Sequence, residues 1–214
     1  MKAIICAAGE GKRLRPHTED NPKCLVKIGD KTIIEHILDN ISEAGIKDVI
    51  IVIGYKKNKV INKLGNKYKN CNITYIINEA YSKTNNMYSL WLAMKNLEED
   101  VIFFNADILF NKEILNKVLE NKNNVVVTSP VIKEDSMKAI IHGDIVKKLG
   151  KNVVGEVKGD AIGIYKLSKD TAKEYLKKAS EIIDNGEINC SFVEPINLLT
   201  DKINFNAMHI KVAL

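Results

Sequence analysis

Between Ala7 and Lys23 the sequence reads AAGEGKRLRPHTEDNPK, directly after the apolar run AIIC at 3–6. Ala7, Ala8 and Gly9 have little or no side chain, so their backbone N–H groups can approach an anion and form a nest. Glu10 and Gly11 continue that loop. Arg13 then offers a planar fork for phosphate oxygens, and Lys12 a compact point charge. Pro22 stiffens the chain just ahead of Lys23, so a second cation leaves a constrained backbone about ten residues after the first. Two cations held apart suit a ligand with two phosphate groups. Neither common phosphate loop fits. A Walker A loop needs Gly where Cys6 stands and Ser or Thr where Arg13 stands, and a dinucleotide fingerprint needs Gly where Leu14 stands.

Asp107 closes the run VIFFNAD at 101–107. A carboxylate there can hold Mg²⁺ or simply cap a turn. Asn78 follows the run NITYII in the same way. No Ser/His/Asp or Cys/His constellation is visible, and His17, His36, His142 and His209 show no metal-ligand spacing. Cys6, Cys24, Cys71 and Cys190 form no CxxC pair and read as reduced, buried thiols in a cytoplasmic protein.

These residues need a frame. Apolar runs at 3–6, 49–54, 72–77 and 101–107 read as strands, and amphipathic segments at 32–45, 59–65, 84–97 and 111–121 as helices between them. That alternation predicts a Rossmann-like α/β fold, a mostly parallel sheet flanked by helices, with ligands at the C-terminal ends of its strands. After residue 124 the pattern changes. VVVTSPV (125–131), MKAIIH (137–142), DIVKKLG (144–150) and AIGIYKL (161–167) predict a small antiparallel β elaboration, with HGD as a tight turn. A helix (168–186), an apolar segment around SFVEPINLLT and a strand in AMHIKVAL follow. With no linker and no repeat, 1–214 is expected to form one domain, 1–124 and 125–214 being its two halves.

Composition narrows the class further. At 45% hydrophobic and 28% charged residues the chain is ordinary for a globular protein. Its net charge of +5 comes from scattered lysines, without the basic, aromatic-interleaved stripe of a nucleic-acid binder. No signal peptide and no 18-residue apolar run is found, so no membrane partner is expected. The positive balance suits an acidic, phosphorylated small molecule. The sequence leaves a homodimer open.

AAGEGKRLRPHTEDNPKCL resembles the signature of nucleotidyltransferases that activate a phosphorylated metabolite with a nucleoside triphosphate. The family pattern is roughly L-A-A-G-x-G-x-R-[LM] followed by T-x-x-x-P-K-x-L, and only Cys6, in place of Leu, departs from it. GIKDVIIVIGY and NADILF resemble the segments that follow, with Asn-Ala where small-Gly is usual. The resemblance spans essentially the whole chain and implies a nucleotide-diphospho-sugar-transferase-like fold. It also implies Mg²⁺ at Asp107, phosphate contacts from Arg13 and Lys23, and base reading at Asn78. A second metal carboxylate is implied in a W-x-[ED]-[IV]-D segment, which these residues do not contain. That carboxylate lies outside them, or Asp160 or Glu194 takes its place, or catalysis is weak.

The segment TNNMYSLWLAM resembles the branch that uses CTP and a phosphocholine-like acceptor. It implies Asn85 and Ser89 on the nucleotide, and Asn86 and Tyr88 on the acceptor. For a quaternary ammonium an aromatic cage is expected from Tyr81, Tyr88, Trp91, Tyr165 and Phe192. Met87, Leu90, Trp91, Met94 and Leu97 also recur at helical spacing, as a core stripe would. Sugar-1-phosphate transfer, cytidylyl transfer to another small phosphate such as an aminoalkylphosphonate or a phosphorylated amino acid, and non-catalytic nucleotide binding remain as alternatives.

Overall fold

A computed structural model describes residues 1–121, 124–130 and 134–210. Strand β1 (Lys2–Ala7) runs into the signature loop, which makes single 3-10 turns at Lys12–Leu14 and Lys23–Leu25. A short hairpin of β2 (Lys27–Ile28) and β3 (Lys31–Thr32) leads into α1 (Ile33–Glu43). Then come β4 (Asp48–Ile53), α2 (Lys57–Leu64), β5 (Lys67–Tyr68), β6 (Cys71–Ile77), α3 (Asn86–Met94), β7 (Val101–Asn105) and α4 (Lys112–Glu120). Helix α1 starts where the sequence places it because Thr32 and Glu35 form a reciprocal capping box, Glu35 Oε2 accepting from the Thr32 N–H at 2.9 Å.

The second half comprises β8 (Asn124–Ser129), β9 (Lys138–His142), β10 (Ile145–Gly150), β11 (Val157–Leu167), α5 (Lys169–Asp184), α6 (Val193–Asn197) and β12 (Phe205–His209). Ten strands form one sheet in the order β5-β6-β4-β1-β7-β11-β8-β12-β10-β9. Strands β6, β4, β1 and β7 are mutually parallel, as the alternation of strand and helix demands. The α/β expectation holds, and one detail of it changes. The expected β elaboration of the second half extends the main sheet itself.

Strand β11 enters antiparallel between β7 and β8, and β8 lies parallel to β12. Every residue of β8 is buried, so VVVTS is an interior strand and not one arm of a solvated hairpin. Val131, at the end of the expected strand 125–131, lies outside the described residues, as do residues 211–214 of the expected final strand. The hairpin predicted at HGD is present as β9 and β10. The first part of β11 also pairs with β9, so the second-half strands curl back on themselves.

Alternation along the strands sends neighbours to opposite faces. Phe103 packs with Ile4, Leu90, Tyr165, Tyr175 and Phe192 under α3, α5 and α6. Phe104 packs with Ile5, Ile34, Ile37 and Leu115 under α1 and α4. Among the described residues no helix is long and apolar enough to cross a membrane.

Candidate functional site

The C-terminal ends of β1, β6 and β7 open into a cleft of about 1180 Å³, lined also by the signature loop, the start of α3 and the second half of the chain. Ala7, Ala8, Gly9, Gly11 and Arg13 line it, with Lys23, Asn78, Asn85, Asn86, Ser89 and Asp107. Most of the residues singled out in the sequence therefore meet in one place, although they come from separate elements.

The signature loop is fixed by its own backbone. Gly11 sits at φ +66°, and its carbonyl oxygen accepts from the Leu14 N–H at 2.9 Å and the Thr18 hydroxyl at 2.8 Å. A Cβ on Gly11 would come within 2.9 Å of the Lys23 Cβ, so the two parts of the signature pack against each other. At Gly9 a Cβ would meet nothing within 4 Å. Packing does not require that glycine, and the space its missing side chain leaves is open for a ligand to approach the backbone.

Lys23 Nζ donates to Asp107 Oδ2 across 84 positions of sequence. The pair brings the cation of the loop to the carboxylate beyond β7. Arg13 reaches Asp135 at 3.2 Å, with both side chains largely exposed. Lys12 and Arg15 instead pair with Glu10 at 3.3 and 3.8 Å, and neither Glu10 nor Lys12 lines the cleft. The expected nest thus narrows to Ala7, Ala8, Gly9 and Gly11 with Arg13.

Asn78 is buried, and its amide is fully used. It donates to Thr84 Oγ1 and Ser89 Oγ, each at 3.0 Å, and its carbonyl accepts from the Ala80 N–H at 3.0 Å. Asn85 caps α3 by accepting from the Asn86 N–H at 2.8 Å. Asn86 Oδ1 accepts from the Phe192 N–H at 3.0 Å, tying that helix start to the chain before α6.

The aromatic cage does not assemble. Of its five candidates only Tyr81 lines the cleft. Tyr165 is fully buried, stacked on Phe103 at 4.9 Å, and Phe192 meets it edge-on at 4.8 Å. Trp91 turns toward α5, where its Nε1 donates to Ser180 Oγ at 2.9 Å and Lys95 Nζ sits 3.6 Å from its ring centroid. Tyr88 packs on that Trp91 ring at 5.2 Å. The helical stripe packs as structure on this face, and Tyr88, Trp91, Tyr165 and Phe192, expected as acceptor contacts, do not line the cleft. Asp160 is buried within β11, opposite Ser129 and Lys138, and does not line the cleft either.

Other lining residues escaped the sequence reading. Lys148 on β10 and Lys151 just beyond it line the cleft, both exposed. Glu194, weighed above only as a substitute acid, lines it from α6. Asn197, one turn further along α6, accepts from the Leu149 N–H and donates to the Leu149 carbonyl, each at 2.8 Å. The only signal in the sequence was the run KKLGK, which looks like one more piece of a lysine-rich composition.

Two thiols also border the site. Burial pushes both Cys6 and Cys24 up to about 12, so neither supplies a thiolate at neutral pH. Among the described residues no group of three His, Cys, Asp or Glu could hold a metal by itself. Oxygen donors on the bound ligand would have to complete a coordination shell.

A model of the family described as nucleotidyl transferase matches residues 2–140. A choline-phosphate cytidylyltransferase of Streptococcus pneumoniae is 40% identical over 116 residues, covering 54% of this chain and 49% of that protein. A CTP:phosphoglutamine cytidylyltransferase of Campylobacter jejuni is 31% identical over 198 residues, covering 82% of this chain and 76% of that protein. The alignment thus spans about half of the first relative and three quarters of the second. Among solved structures, the S. pneumoniae CTP:phosphocholine cytidylyltransferase superposes with a TM-score of 0.82 at 26% identity, over 99% of this chain and 90% of that one.

Proposed function

The chain belongs to the nucleotidyl transferase family, and from that premise we propose that it transfers CMP from CTP to the phosphate of a small metabolite, releasing pyrophosphate. The observation that carries this reading is the pairing of Lys23 with Asp107 beside a backbone loop whose Gly9 leaves space for an anion. An oxygen of the acceptor phosphate attacks the α-phosphorus of the triphosphate. The bond from that phosphorus to the bridging oxygen breaks, and its electron pair leaves with pyrophosphate. The attacking oxygen is already ionised, so no side-chain base or nucleophile is required, which suits a cleft whose thiols stay protonated. What remains for the protein is to align two anions that repel each other and to stabilise charge.

The Ala7–Gly11 backbone and Arg13 serve the triphosphate in this reading, and Lys23 serves the phosphates at the reacting centre. Asn78 acts as a positioning residue: its bonds to Thr84 and Ser89 hold the turn after β6 in shape. The division into a nucleotide half (1–124) and an acceptor half (125–214) is part of the proposal. The choice of CTP rests on the two cytidylyltransferase relatives.

Magnesium fits the donor set. Asp107 is an accessible carboxylate at a strand end, Glu194 shares the cleft, and Mg²⁺ commonly binds through one or two carboxylates plus substrate phosphates. When bound there it would neutralise phosphate charge. Asp107 would be the residue that holds it, with Lys23 beside it on the phosphates.

The test is pyrophosphate release with Mg²⁺ across CTP, UTP, ATP, GTP and dTTP, each with a panel of small phosphates. CTP should give the fastest release. A clear preference for UTP or dTTP with a sugar 1-phosphate would replace the cytidylyl reading, and binding of CTP without release would replace catalysis.

A further inference from the structure

The end of β7 holds a side chain that the transfer just proposed does not use. Asn105 is the last residue of that strand, half-buried and in the lining of the cleft. Alternation puts it on the same face as Phe103, the face that α3 covers, and Asp107 follows two residues later. Asn78, Asn85, Asn86 and Asn197 also line the cleft, and each commits its side-chain amide to the protein. Asn152 lines it from an exposed loop. Asn105 alone is held at a strand end with an amide that makes no hydrogen bond among the described residues.

The fold makes room for that amide. On β11 the register places Gly163 opposite Asn105, one step beyond the pair of Ile164 and Phe104. Gly163 has φ +94°, where the pairing of β11 with β8 is irregular between Ala161 and Tyr165. A Cβ on Gly163 would lie 2.6 Å from Asn105 Nδ2 and 3.0 Å from Asn105 Cβ. A glycine inside a strand weakens it, and here its missing side chain gives space to Asn105. A half-buried amide seated in this way and left without partners is satisfied only by a ligand.

The chemistry of the amide says which part of a ligand. Nδ2 donates, Oδ1 accepts, and the group is neutral. A phosphate oxygen can use only the donor, whereas a pair of hydroxyls uses both. Position agrees with this. To one side stand the nest and the Lys23–Asp107 pair, where phosphates belong. To the other stands an uncharged polar wall of Asn78, Thr84, Asn85, Asn86 and Ser89, suited to a neutral base. Between a base and its phosphates lies the ribose. On the premise of nucleotide binding in this cleft, we propose that Asn105 makes the protein select ribonucleotides. Oδ1 accepts from one of the 2′ and 3′ hydroxyls, Nδ2 donates to the other, and Gly163 acts as the positioning residue for the amide.

The test is equilibrium binding of CTP, 2′-deoxy-CTP and 3′-deoxy-CTP without acceptor, with pyrophosphate release measured separately. The unsubstituted protein should bind CTP about tenfold more tightly than either deoxy form, the scale of one lost hydrogen bond in a cleft. Asn105→Ala should bring all three within about twofold of one another, as expected once neither hydroxyl has a partner. Its melting temperature should not fall, because the amide makes no internal bond. Gly163→Ala, which crowds the amide, should move the ratios the same way. Equal binding of CTP and 2′-deoxy-CTP by the unsubstituted protein, or a preference that Asn105→Ala leaves untouched, would overturn the inference. The expected ratios without pyrophosphate release would keep the ribose assignment and end the transfer reading. Failure to bind any of the three would end both.

Discussion

In the part of the cleft built by the first half of the chain, Lys23 and Asp107 arrive already paired, whereas in the part built by the second half Lys148, Lys151 and Glu194 stand without ionic partners among the described residues. The first arrangement is tight and general. A backbone nest, a cation and a carboxylate serve any nucleoside triphosphate, and the pair keeps both charges satisfied before ligand arrives. The second arrangement is exposed and particular. Charges left open in a cleft gain little until a complementary ligand covers them, so they select among ligands more than they stabilise the protein.

Removing the chemistry should cost the most. Lys23→Ala and Asp107→Ala are each expected to lower kcat/KM by about a hundredfold or more, as for other fixed charge stabilisers. Steady-state pyrophosphate release checks this with every acceptor, because the role proposed for these residues is at the transferred phosphates. In contrast, Lys148→Ala should change the ranking of acceptors and cost about tenfold with the best of them. Equal losses from Lys23→Ala and Lys148→Ala on all acceptors would erase the distinction between the two parts.

Gly11 tests whether the nest and Lys23 are one unit. A side chain there must adopt the left-handed region at φ +66° and push its Cβ toward Lys23. Gly11→Ala is expected to destabilise the fold by about 1–3 kcal/mol, the usual cost of such strain. It should also lower kcat by about tenfold or more, because a small misplacement of a phosphate cation is costly. Thermal unfolding and kcat are the two measurements. A lowered melting temperature with unchanged kcat would show that the loop is scaffold only.

On the other side, Asn197→Ala removes both bonds to Leu149 and should destabilise by about 1–3 kcal/mol. Its kinetic signature differs from that of Gly11→Ala: KM for the acceptor rises a few-fold while KM for CTP stays put. An increase in KM for CTP would mean that the clamp serves the whole cleft.

The two parts were also unequally legible in the sequence. The nest, Lys23 and Asp107 are local signals. Glycines, a proline and a carboxylate at strand ends have few other reasons to occur together, and a parallel sheet brings strand ends to one edge. Lys148 and Glu194 have no such signature. Lys148 belongs to a lysine-rich strand, and Glu194 to a five-residue helix, and only the pairing of Asn197 with Leu149 puts them together. The cage misread has a similar cause. Met87, Leu90, Trp91 and Met94 share a helical period, which says that a face is buried but not against what. Here Trp91 meets α5. Tyr165 alternates into the core because β11 joins the main sheet beside β7, a pairing that sequence spacing did not show.

Two tyrosines make the smallest and sharpest test of that core assignment. Tyr165 and Tyr175 are both fully buried in the cluster around Phe103, yet their hydroxyls differ. Tyr175 donates to the Phe192 carbonyl at 3.0 Å, while the Tyr165 hydroxyl has no hydrogen-bond partner among the described residues. Burying an unsatisfied hydroxyl costs free energy, so Tyr165→Phe is expected to stabilise by about 1 kcal/mol. Tyr175→Phe should destabilise by a similar amount, because it leaves the Phe192 carbonyl without that donor. For a chain of this size each change corresponds to about 2–4 °C in melting temperature, in opposite directions. If Tyr165 were a wall of an acceptor site, its Phe variant would instead raise the acceptor KM. A stability gain with unchanged kinetics places it in the core, and a stability loss would mean that its hydroxyl finds a partner after all.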